Sequence, residues 1–299
     1  MKIFLLLLLL LILLIYIIVY SIVHFINYRR DEKLIKLSDN IIKYNLPNID
    51  KLEEKDIPKV IHQTNETIEK YLIFDEELEI TKKSCPDYQF KFYNKEERIE
   101  YIKNNYDKRV LDSYLKISDN FGPCKADFFR YLVLYNEGGI YLDNKTVIVK
   151  NIDDIIEENK GKLITFKNTN FFLDYNLPNI YIPPKYYYYK NKYNMKNGEF
   201  GQWFIISNKG NKILKNIIEK IIVNIEAESK REEKLFFGKP GVLLLTGPIM
   251  FTDTIIENNY ENCKILNQDL NHHVKYKIRD HKKITKNHYS KHRNKNVIL

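Results

Sequence analysis

Cysteine is scarce in this chain, and several other common signatures are missing. Its 299 residues include only Cys85, Cys124 and Cys263, an odd number with no C-x-x-C spacing. At most one disulfide bond can form, which excludes a disulfide-rich scaffold and leaves the cellular compartment open. Internal repeats, zinc-type ligand spacing and nucleic-acid-binding motifs are also absent. The length leaves room for one substantial domain, or for one domain plus appendages.

Positive charge is in excess, yet it says little about function. The formal net charge is +9 and the isoelectric point is about 9.1, which would suit nucleotide diphosphates, lipid headgroups or nucleic acid. Lysine, asparagine, isoleucine and tyrosine are all abundant, as an AT-rich coding sequence would produce. A basic, membrane-tethered nucleic-acid binder would rest on charge alone, so we expect no nucleic-acid partner.

A long hydrophobic run opens the chain. Residues 3–26 are almost wholly apolar, longer than the ~20 residues that span a bilayer and well beyond the ~7–15-residue core of a signal peptide. No small-residue cleavage site precedes Arg29. The pattern favours a membrane anchor at residues 1–28 over a cleaved signal, followed by a charged, asparagine-rich stem at residues 29–56.

Residues 125–145 form the most informative stretch of the sequence. They predict, in order, a helix, a glycine turn, a buried strand and a polar tip. The helix begins near Gly122 and ends at Gly138, which can adopt a left-handed conformation, and Gly139 lets backbone or ligand come close. The strand shows no alternation, as expected of a central strand covered on both faces. Asp143 stands at its carboxyl end, where open α/β sheets bind ligands.

Two side-chain pairs in this stretch suggest chemistry. Asp127 and Arg130 lie three residues apart and share one helix face. Asp143 and Lys145 would share one face of an extended segment and so face one ligand. Each pair also has an ordinary explanation, which is a helix salt bridge for the first and a polar hairpin turn after a buried strand for the second.

The rest of the chain alternates between strand and helix patterns. Strands are predicted at residues 57–64, 88–93, 147–149, 163–166 and 200–207, and helices at 76–84, 95–117 (one helix or two), 212–228 and just after Thr246. This alternation predicts an α/β fold with a mostly parallel sheet under helical cover. Residues 168–197 lose periodicity and are either a tyrosine-rich lid or an exposed insertion.

At residues 126–143 the sequence resembles the glycosyltransferases of family 32. Their sugar-binding region carries a DXD motif in a pattern of roughly S-D-x-x-R-Y-x-x-L-Y-x-x-G-G-x-Y-x-D-x-D. The matching positions here, with alanine where serine is usual, are Ala126, Asp127, Arg130, Tyr131, Leu134, Tyr135, Gly138, Gly139, Tyr141 and Asp143. The resemblance implies a Rossmann-like GT-A fold over residues 57–276, with a basic C-terminal tail at 277–299. It also implies transfer, with retention, of a hexose from a UDP- or GDP-hexose to a glycan, lipid or protein hydroxyl.

The resemblance further implies roles for single residues. Asp127 and Arg130 would bind the sugar and ribose region, with Tyr131, Gly139 and Tyr141 also at the donor. Asp143 would bind the ribose or the metal-bound diphosphate.

Two shorter stretches also resemble the family. His62 and Gln63, in the stretch I-P-K-V-I-H-Q, would lie near the nucleotide, although His62 could equally be a core-strand residue. Gly247 and Pro248, in T-G-P, would lie on the acceptor side, although Thr246 could instead cap a helix with Pro248 in its first turn. Relatives often place a histidine near the diphosphate at the chain end, and spacing cannot rank His272, His273, His281 and His288.

Lys145 departs from the family pattern, because it stands where the second aspartate of the motif should be. A second carboxylate would coordinate Mn²⁺ or Mg²⁺, which stabilises the departing diphosphate, whereas an ammonium cannot ligate a cation. Lys145 could neutralise the diphosphate itself, or Asp143 could hold a metal with ligands from elsewhere. A third alternative is an inactive protein that binds nucleotide sugars or glycans.

Membrane orientation is predicted differently by two arguments. The resemblance implies a lumenal catalytic domain of Golgi or ER type. Only Lys2 precedes the apolar run, whereas Arg29, Arg30, Lys33 and Lys36 follow it, so the positive-inside rule favours the opposite topology.

Overall fold

The computed structural model describes residues 4, 8–9, 11–22, 49–168, 199–232, 234–258, 262–266, 272–276, 292 and 294–299. It divides the chain into two compact units. The first unit comprises Met1–Asn45 with Phe172–Asn197, and the second comprises Leu46–Phe171 with Gly198–Leu299. The unperiodic segment predicted as lid or insertion, as well as His281 and His288, lies outside the described residues, apart from Asn168.

In the first unit, residues 11–22 are helical and their large apolar side chains are exposed. The rings of Tyr16 and Tyr20 stack with centroids 6.4 Å apart. Over the part of the chain that the structure describes, none of the helices has both the length and the apolar character needed to cross a membrane. The predicted anchor, residues 1–28, lies partly outside that part of the chain.

The second unit contains a mixed sheet. The strands are, in chain order, β1 (Val60–Thr64), β2 (Gln89–Tyr93), β3 (Gly139–Leu142), β4 (Thr146–Ile148), β5 (Leu163–Asn168), β6 (Glu199–Phe200), β7 (Phe204–Ser207), β8 (Cys263–Leu266) and β9 (Val274–Tyr276). The sheet order is β2-β1-β3-β7-β5-β6, with β8 also paired to β5. β1 runs parallel to β2 and β3, and β5 parallel to β8, whereas β7 is antiparallel to both β3 and β5. The predicted α/β class is confirmed.

Helices flank this sheet, and those that the sequence predicted lie close to their predicted positions. They are α1 (Ile68–Leu72), α2 (Asp75–Ser84), α3 (Lys95–Asn105), α4 (Lys108–Lys116), α5 (Gly122–Glu137), α6 (Asp153–Glu157), α7 (Lys212–Lys230), α8 (Gly238–Leu245) and α9 (Pro248–Glu257). Residues 95–117 form two helices because a second N-cap interrupts them. The Asp107 side chain accepts a hydrogen bond from Val110 N at 3.0 Å, which satisfies a free amide of the new first turn.

The core lies on both faces of the sheet. β3 is buried along its whole length, as predicted for a central strand. Tyr141 packs with α5 and α7 on one face, whereas Ile140 and Leu142 pack with Ile164 and Phe204 on the other. α5 is buried on nearly every side, which explains why its apolar residues show helical spacing without a clean polar stripe.

Two predicted strands differ from the structure. β4 does not extend the main sheet, because the turn after β3 redirects the chain and β4 pairs antiparallel with β9. The strand predicted at 200–207 is interrupted between β6 and β7. A Cβ on Gly201 would lie 1.7 Å from the ring of Phe166, so the backbone passes against that ring and the ladder breaks there.

The predicted stem and tail both contribute to the second unit. Ile49 is buried, and Glu54 N donates to Lys209 O at 3.0 Å, so residues 49–56 pack on the domain. At the other end, Val297 and Ile298 are buried, and Val297 N donates to Phe236 O at 2.7 Å. The predicted stem therefore begins to pack before residue 57, and the last six residues are not a free tail. All three cysteines are free.

Candidate functional site

The candidate site lies where β3 ends and α5 passes beside it. Arg130 is 4% exposed and Asp127 is 5% exposed. Arg130 Nη2 lies 2.8 Å from Asp127 Oδ1 and 3.1 Å from Asp143 Oδ1. The helix-face pair is therefore a salt bridge, as the ordinary interpretation required, but it also reaches the acidic residue at the end of β3. This arrangement joins the first predicted pair and Asp143 of the second pair in one cluster.

Two further contacts hold the Arg130 guanidinium. Its Nη1 donates to Gln202 O at 2.5 Å, and its centre lies 4.6 Å from the Tyr141 ring centroid. Burial alone would lower the pKa of Arg130, but Asp143 and Asp127 raise the pKa above its usual value. The cation is therefore fixed in position and permanently charged, which suits recognition of an oxygen-rich anion.

Asp127 is the more buried of the two carboxyl groups in the cluster, with 7% of its side chain exposed against 30% for Asp143. Burial raises the pKa of its carboxyl to about 7, the Arg130 cation opposes that rise, and the Asp143 carboxylate adds to it. Thr246 Oγ1 lies 3.3 Å from Asp127 Oδ2 and 3.2 Å from Cys124 Sγ. A carboxyl that titrates near neutral pH can either accept or donate a hydrogen bond at a ligand hydroxyl.

Gln202 belongs to this cluster and was missed by the sequence analysis. The Tyr131 hydroxyl donates to Gln202 Oε1 at 2.6 Å and also lies 2.9 Å from Thr246 O. Tyr131 therefore braces α5 against two loops, and its role at a donor stays a prediction. Gly201, a glycine inside a strand pattern, was the available signal, because such a residue often marks a break in the strand.

The polar tip is a turn rather than an extended segment. Thr146 N donates to Asp143 O at 2.8 Å, and Asp143 N donates to Trp203 O at 2.9 Å. The amide of Asn144 donates to Thr64 O at 3.0 Å. The extended geometry expected for Asp143 and Lys145 is therefore wrong, because a hydrogen-bonded turn closes between Asp143 and Thr146. Asp143 keeps 30% of its side chain exposed, and Lys145 is half-buried.

The residues of the turn fit a divalent metal poorly. Asp143 Oδ1 already accepts from Arg130, and the next position that could supply a carboxylate holds Lys145. Across the described residues there is no group of three or more His, Cys, Asp or Glu side chains that could hold an ion. We therefore derive no step through Mn²⁺ or Mg²⁺, and Asp143 as a metal ligand stays a prediction.

His62 and Gln63 lie on β1, and their side chains form hydrogen bonds with residues outside the cluster around Arg130. His62 Nε2 lies 3.0 Å from Gly138 O, which can only accept, so this nitrogen carries the proton and Nδ1 faces the Tyr93 hydroxyl at 3.4 Å. Burial lowers the pKa of His62 to about 4. Gln63 Oε1 accepts from the Tyr71 hydroxyl at 2.9 Å. Their role at a donor stays a prediction.

Two of the glycines in the stretches that resemble the family, Gly139 and Gly247, lie against protein backbone. Gly139 has φ of 97°, and a Cβ there would lie 2.6 Å from Val60 O. It stands at the amino end of β3, roughly 13 Å from Asp143 at about 3.3 Å per residue. A Cβ on Gly247 would lie 2.6 Å from Leu243 Cα. Its role next to an acceptor stays a prediction.

The predicted cap of the helix after Thr246 is displaced by one residue. Gly247 is the N-cap of α9 and Pro248 lies in the first turn as predicted, whereas Thr246 ends the preceding helix α8. The prediction that Thr246 caps α9 is wrong, because its hydroxyl turns instead to Cys124 and Asp127.

Residues 73–162 match the family model described as "Glycosyltransferase sugar-binding region containing DXD motif". The matched range includes Asp127, Arg130, Tyr141 and Asp143. The resemblance inferred from residues 126–143 is thereby confirmed.

Two curated relatives share part of the chain. It is 34% identical over 137 residues to an initiation-specific alpha-1,6-mannosyltransferase of Candida albicans. The aligned segment covers 44% of this chain and 34% of the relative. It is also 34% identical over 141 residues to inositol phosphoceramide mannosyltransferase 3 of Schizosaccharomyces pombe. That aligned segment covers 44% of this chain and 35% of the relative. The matched part of the chain thus spans about a third of the length of these relatives.

Among solved structures, PaToxG Glycosyltransferase is similar at 19% identity with a TM-score of 0.42 and covers 79% of this chain and 80% of that chain.

Proposed function

We propose, from the match of residues 73–162 to the family model of a glycosyltransferase sugar-binding region, that the protein is a membrane-anchored glycosyltransferase of GT-A type. It transfers a hexose from a nucleotide-sugar donor to a hydroxyl group. The bond between C1 of the sugar and the diphosphate oxygen breaks, and a bond forms between C1 and the acceptor oxygen. The acceptor proton leaves to solvent or to the departing diphosphate.

The cluster around Arg130 is the observation that carries this proposal. Asp127 and Asp143 offer carboxyl oxygens to hydroxyl groups of the sugar or ribose, at 2.8 and 3.1 Å from one shared guanidinium nitrogen. Because the cluster is held by Gln202 and Tyr141 before any ligand arrives, little reorganisation is needed during transfer. We assign no nucleophile, and transfer with retention follows from the resemblance alone.

The named relatives suggest which substrates to test first. Both are called mannosyltransferases, one for an alpha-1,6 linkage and the other for inositol phosphoceramide. We therefore propose a mannosyl donor as the first candidate, with either UDP or GDP as the nucleotide. A glycan hydroxyl and an inositol-containing lipid are the corresponding acceptors.

The membrane part of the proposal rests on the apolar N-terminus. Residues 3–26 are long enough to span a bilayer by the ~20-residue criterion, and the described residues 11–22 form a helix with exposed apolar side chains. Resistance to alkaline carbonate extraction would support anchoring, and release into the supernatant would contradict it. Protection of the C-terminus from added protease in sealed vesicles would support a lumenal domain.

The enzymatic proposal is tested by donor hydrolysis and transfer with the full chain in detergent micelles. A panel of UDP- and GDP-hexoses, with Mn²⁺ or with EDTA, identifies the donor. We expect Asp143→Asn to abolish hydrolysis, whereas Asp112→Asn, which removes a carboxyl paired with Lys108 on the surface, leaves it unchanged. Equal rates in the two variants would contradict the assignment of the site. Product anomers, read by NMR, decide between retention and inversion.

A second candidate is a nucleotide-sugar or glycan-binding protein without activity. Lys145 favours it, because the family's second motif carboxylate is missing. Saturable binding of a nucleotide sugar with neither hydrolysis nor transfer to any acceptor would support this alternative.

A further inference from the structure

The turn that closes between Asp143 and Thr146 supports an inference that deepens the proposed function and rests on it. We propose that this site binds the diphosphate of a nucleotide sugar without a divalent cation, and that Lys145 supplies the positive charge that a metal would otherwise supply. The ligand class is a nucleoside diphosphate, alone or with its sugar.

The acidic residue that remains in the motif is already neutralised by the protein. Asp143 Oδ1 accepts a hydrogen bond from Arg130 Nη2 at 3.1 Å. A divalent cation bound to that oxygen would lie beside a guanidinium that three acceptors hold in place, and like charges at such a distance repel. A metal bound to Asp143 Oδ1 would therefore have to displace the buried Arg130.

The turn is also organised without an ion. Three hydrogen bonds fix it: Asp143 N to Trp203 O at 2.9 Å, Thr146 N to Asp143 O at 2.8 Å, and the Asn144 amide to Thr64 O at 3.0 Å. Two of them, those to Trp203 and Thr64, connect the turn to the ends of β7 and β1, the strands on either side of β3. A metal that bridges two motif carboxylates also orders the loop that carries them, and here backbone and amide groups do that work.

Lys145 is placed to act on an anion. It is half-buried at the third position of the turn, two residues after Asp143. No described carboxylate forms an ion pair with it, in contrast to Lys91 with Glu137 and Lys125 with Asp119. Arg130 is already shared between Asp127 and Asp143, so Lys145 is the cation of this turn that remains available to a diphosphate.

The first experiment measures binding of UDP and GDP to the full chain in detergent micelles. Trp203 is the only tryptophan of the chain, and its carbonyl is bonded to Asp143 N, so its fluorescence reports on the turn. After removal of metals we expect the same dissociation constant with EDTA as with Mn²⁺, within about twofold, because no coordination bond is made or lost. Donor hydrolysis is followed under the same two conditions.

Variants at Lys145 separate charge from structure. We expect Lys145→Met to weaken diphosphate binding roughly tenfold or more in both conditions, as for loss of a charge-assisted hydrogen bond. Lys145→Arg should retain most of the affinity. Lys145→Asp restores a D-N-D sequence and should bind only when Mn²⁺ is present. Lys103→Met, which removes an exposed lysine from α3, is the matched control and should bind like the wild type.

The outcomes distinguish this inference from the proposed function. Wild-type binding or hydrolysis that requires Mn²⁺, or unchanged affinity in Lys145→Met, would overturn metal-independent binding and leave the glycosyltransferase intact. Absence of binding by every nucleotide and nucleotide sugar in both conditions would overturn both. If the Trp203 emission spectrum shows that Lys145→Met is misfolded, Lys145→Gln provides the same test with a polar side chain.

Discussion

The two ends of β3 belong to one sequence pattern and are built in opposite ways. At the amino end, Gly139 is pressed against Val60, and His62 finds partners for both ring nitrogens. At the carboxyl end, Arg130 serves two carboxyl groups at once, and Asp143 keeps 30% of its side chain exposed. The groups of Gly139 and His62 at the amino end are therefore already satisfied within the protein, whereas Asp143 at the carboxyl end retains capacity for a ligand. The glycine half of the pattern holds the strand, and the acidic half forms the site.

Gly139→Ala should have the largest effect on stability. A Cβ there would lie 2.5 Å from Val60 Cγ1 at a φ of 97°, so we expect a loss of ~3 kcal/mol or more in the free energy of unfolding. Gly161→Ala is the control, since its φ is also positive at 73° but its Cβ would meet only Lys55 Cγ at 3.9 Å. Gly161→Ala should lower the free energy of unfolding by only ~1 kcal/mol. Urea unfolding measures both, and equal losses would contradict the close-packing argument.

Arg130→Met should reduce donor hydrolysis at least ~100-fold, because it removes the fixed cation and leaves two carboxyl groups without their partner. Arg109→Met is the control. Arg109 makes a comparable two-nitrogen contact with Glu226, at 2.6 and 2.9 Å, but at the half-exposed surface. Arg109→Met should leave hydrolysis unchanged and lower the free energy of unfolding by ~1 kcal/mol or less. Initial rates and urea midpoints for both variants sharpen the contrast between a site cation and a surface cation.

Asp127→Asn should remove a pH dependence of stability. Burial raises the pKa of Asp127 to about 7, so the folded state binds the proton more tightly than the unfolded state. The contribution of Asp127 to the free energy of unfolding is therefore fully present below about pH 4 and is lost as the pH rises to about 7. We expect the variant to flatten this fall when urea midpoints are measured between pH 4 and 8.

Asp119→Asn provides the control of opposite sign. Hydrogen bonds from Lys125 and Lys95 lower the pKa of Asp119 to about 2, so its contribution is present above about pH 4 and is lost as the pH falls towards 2. If both variants change the pH profile in the same direction, the assigned protonation of Asp127 is incorrect.

Tyr93→Phe should have the smallest effect. The hydroxyl lies 3.4 Å from His62 Nδ1, a long hydrogen bond, so its removal should cost ~1 kcal/mol or less and leave donor hydrolysis unchanged. Loss of activity in a well-folded variant would show that the amino end of β3 takes part in function and would break the comparison between the two ends.

Local pattern predicted the helix and strand around the site well. Helical spacing, the proline after Gly122 and the positive-φ glycine Gly138 placed α5 correctly, because caps and turns depend on neighbours in sequence. The same reasoning failed at β4 and at the break before β7. Those features depend on contacts with β9 and with the ring of Phe166, which lie far away in sequence.

The sequence by itself determined the acidic and basic residues of the site, since Asp127, Arg130 and Asp143 stand at fixed spacings in a helix–strand unit. Only the tertiary structure decided that Arg130 joins both carboxyl groups, that Gln202 enters the cluster, and that the segment after β3 is a closed turn. The physical reason is the range of the interactions. Helix and strand periodicity follow from neighbouring residues, whereas a shared guanidinium requires α5, β3 and the β6–β7 break to be packed together.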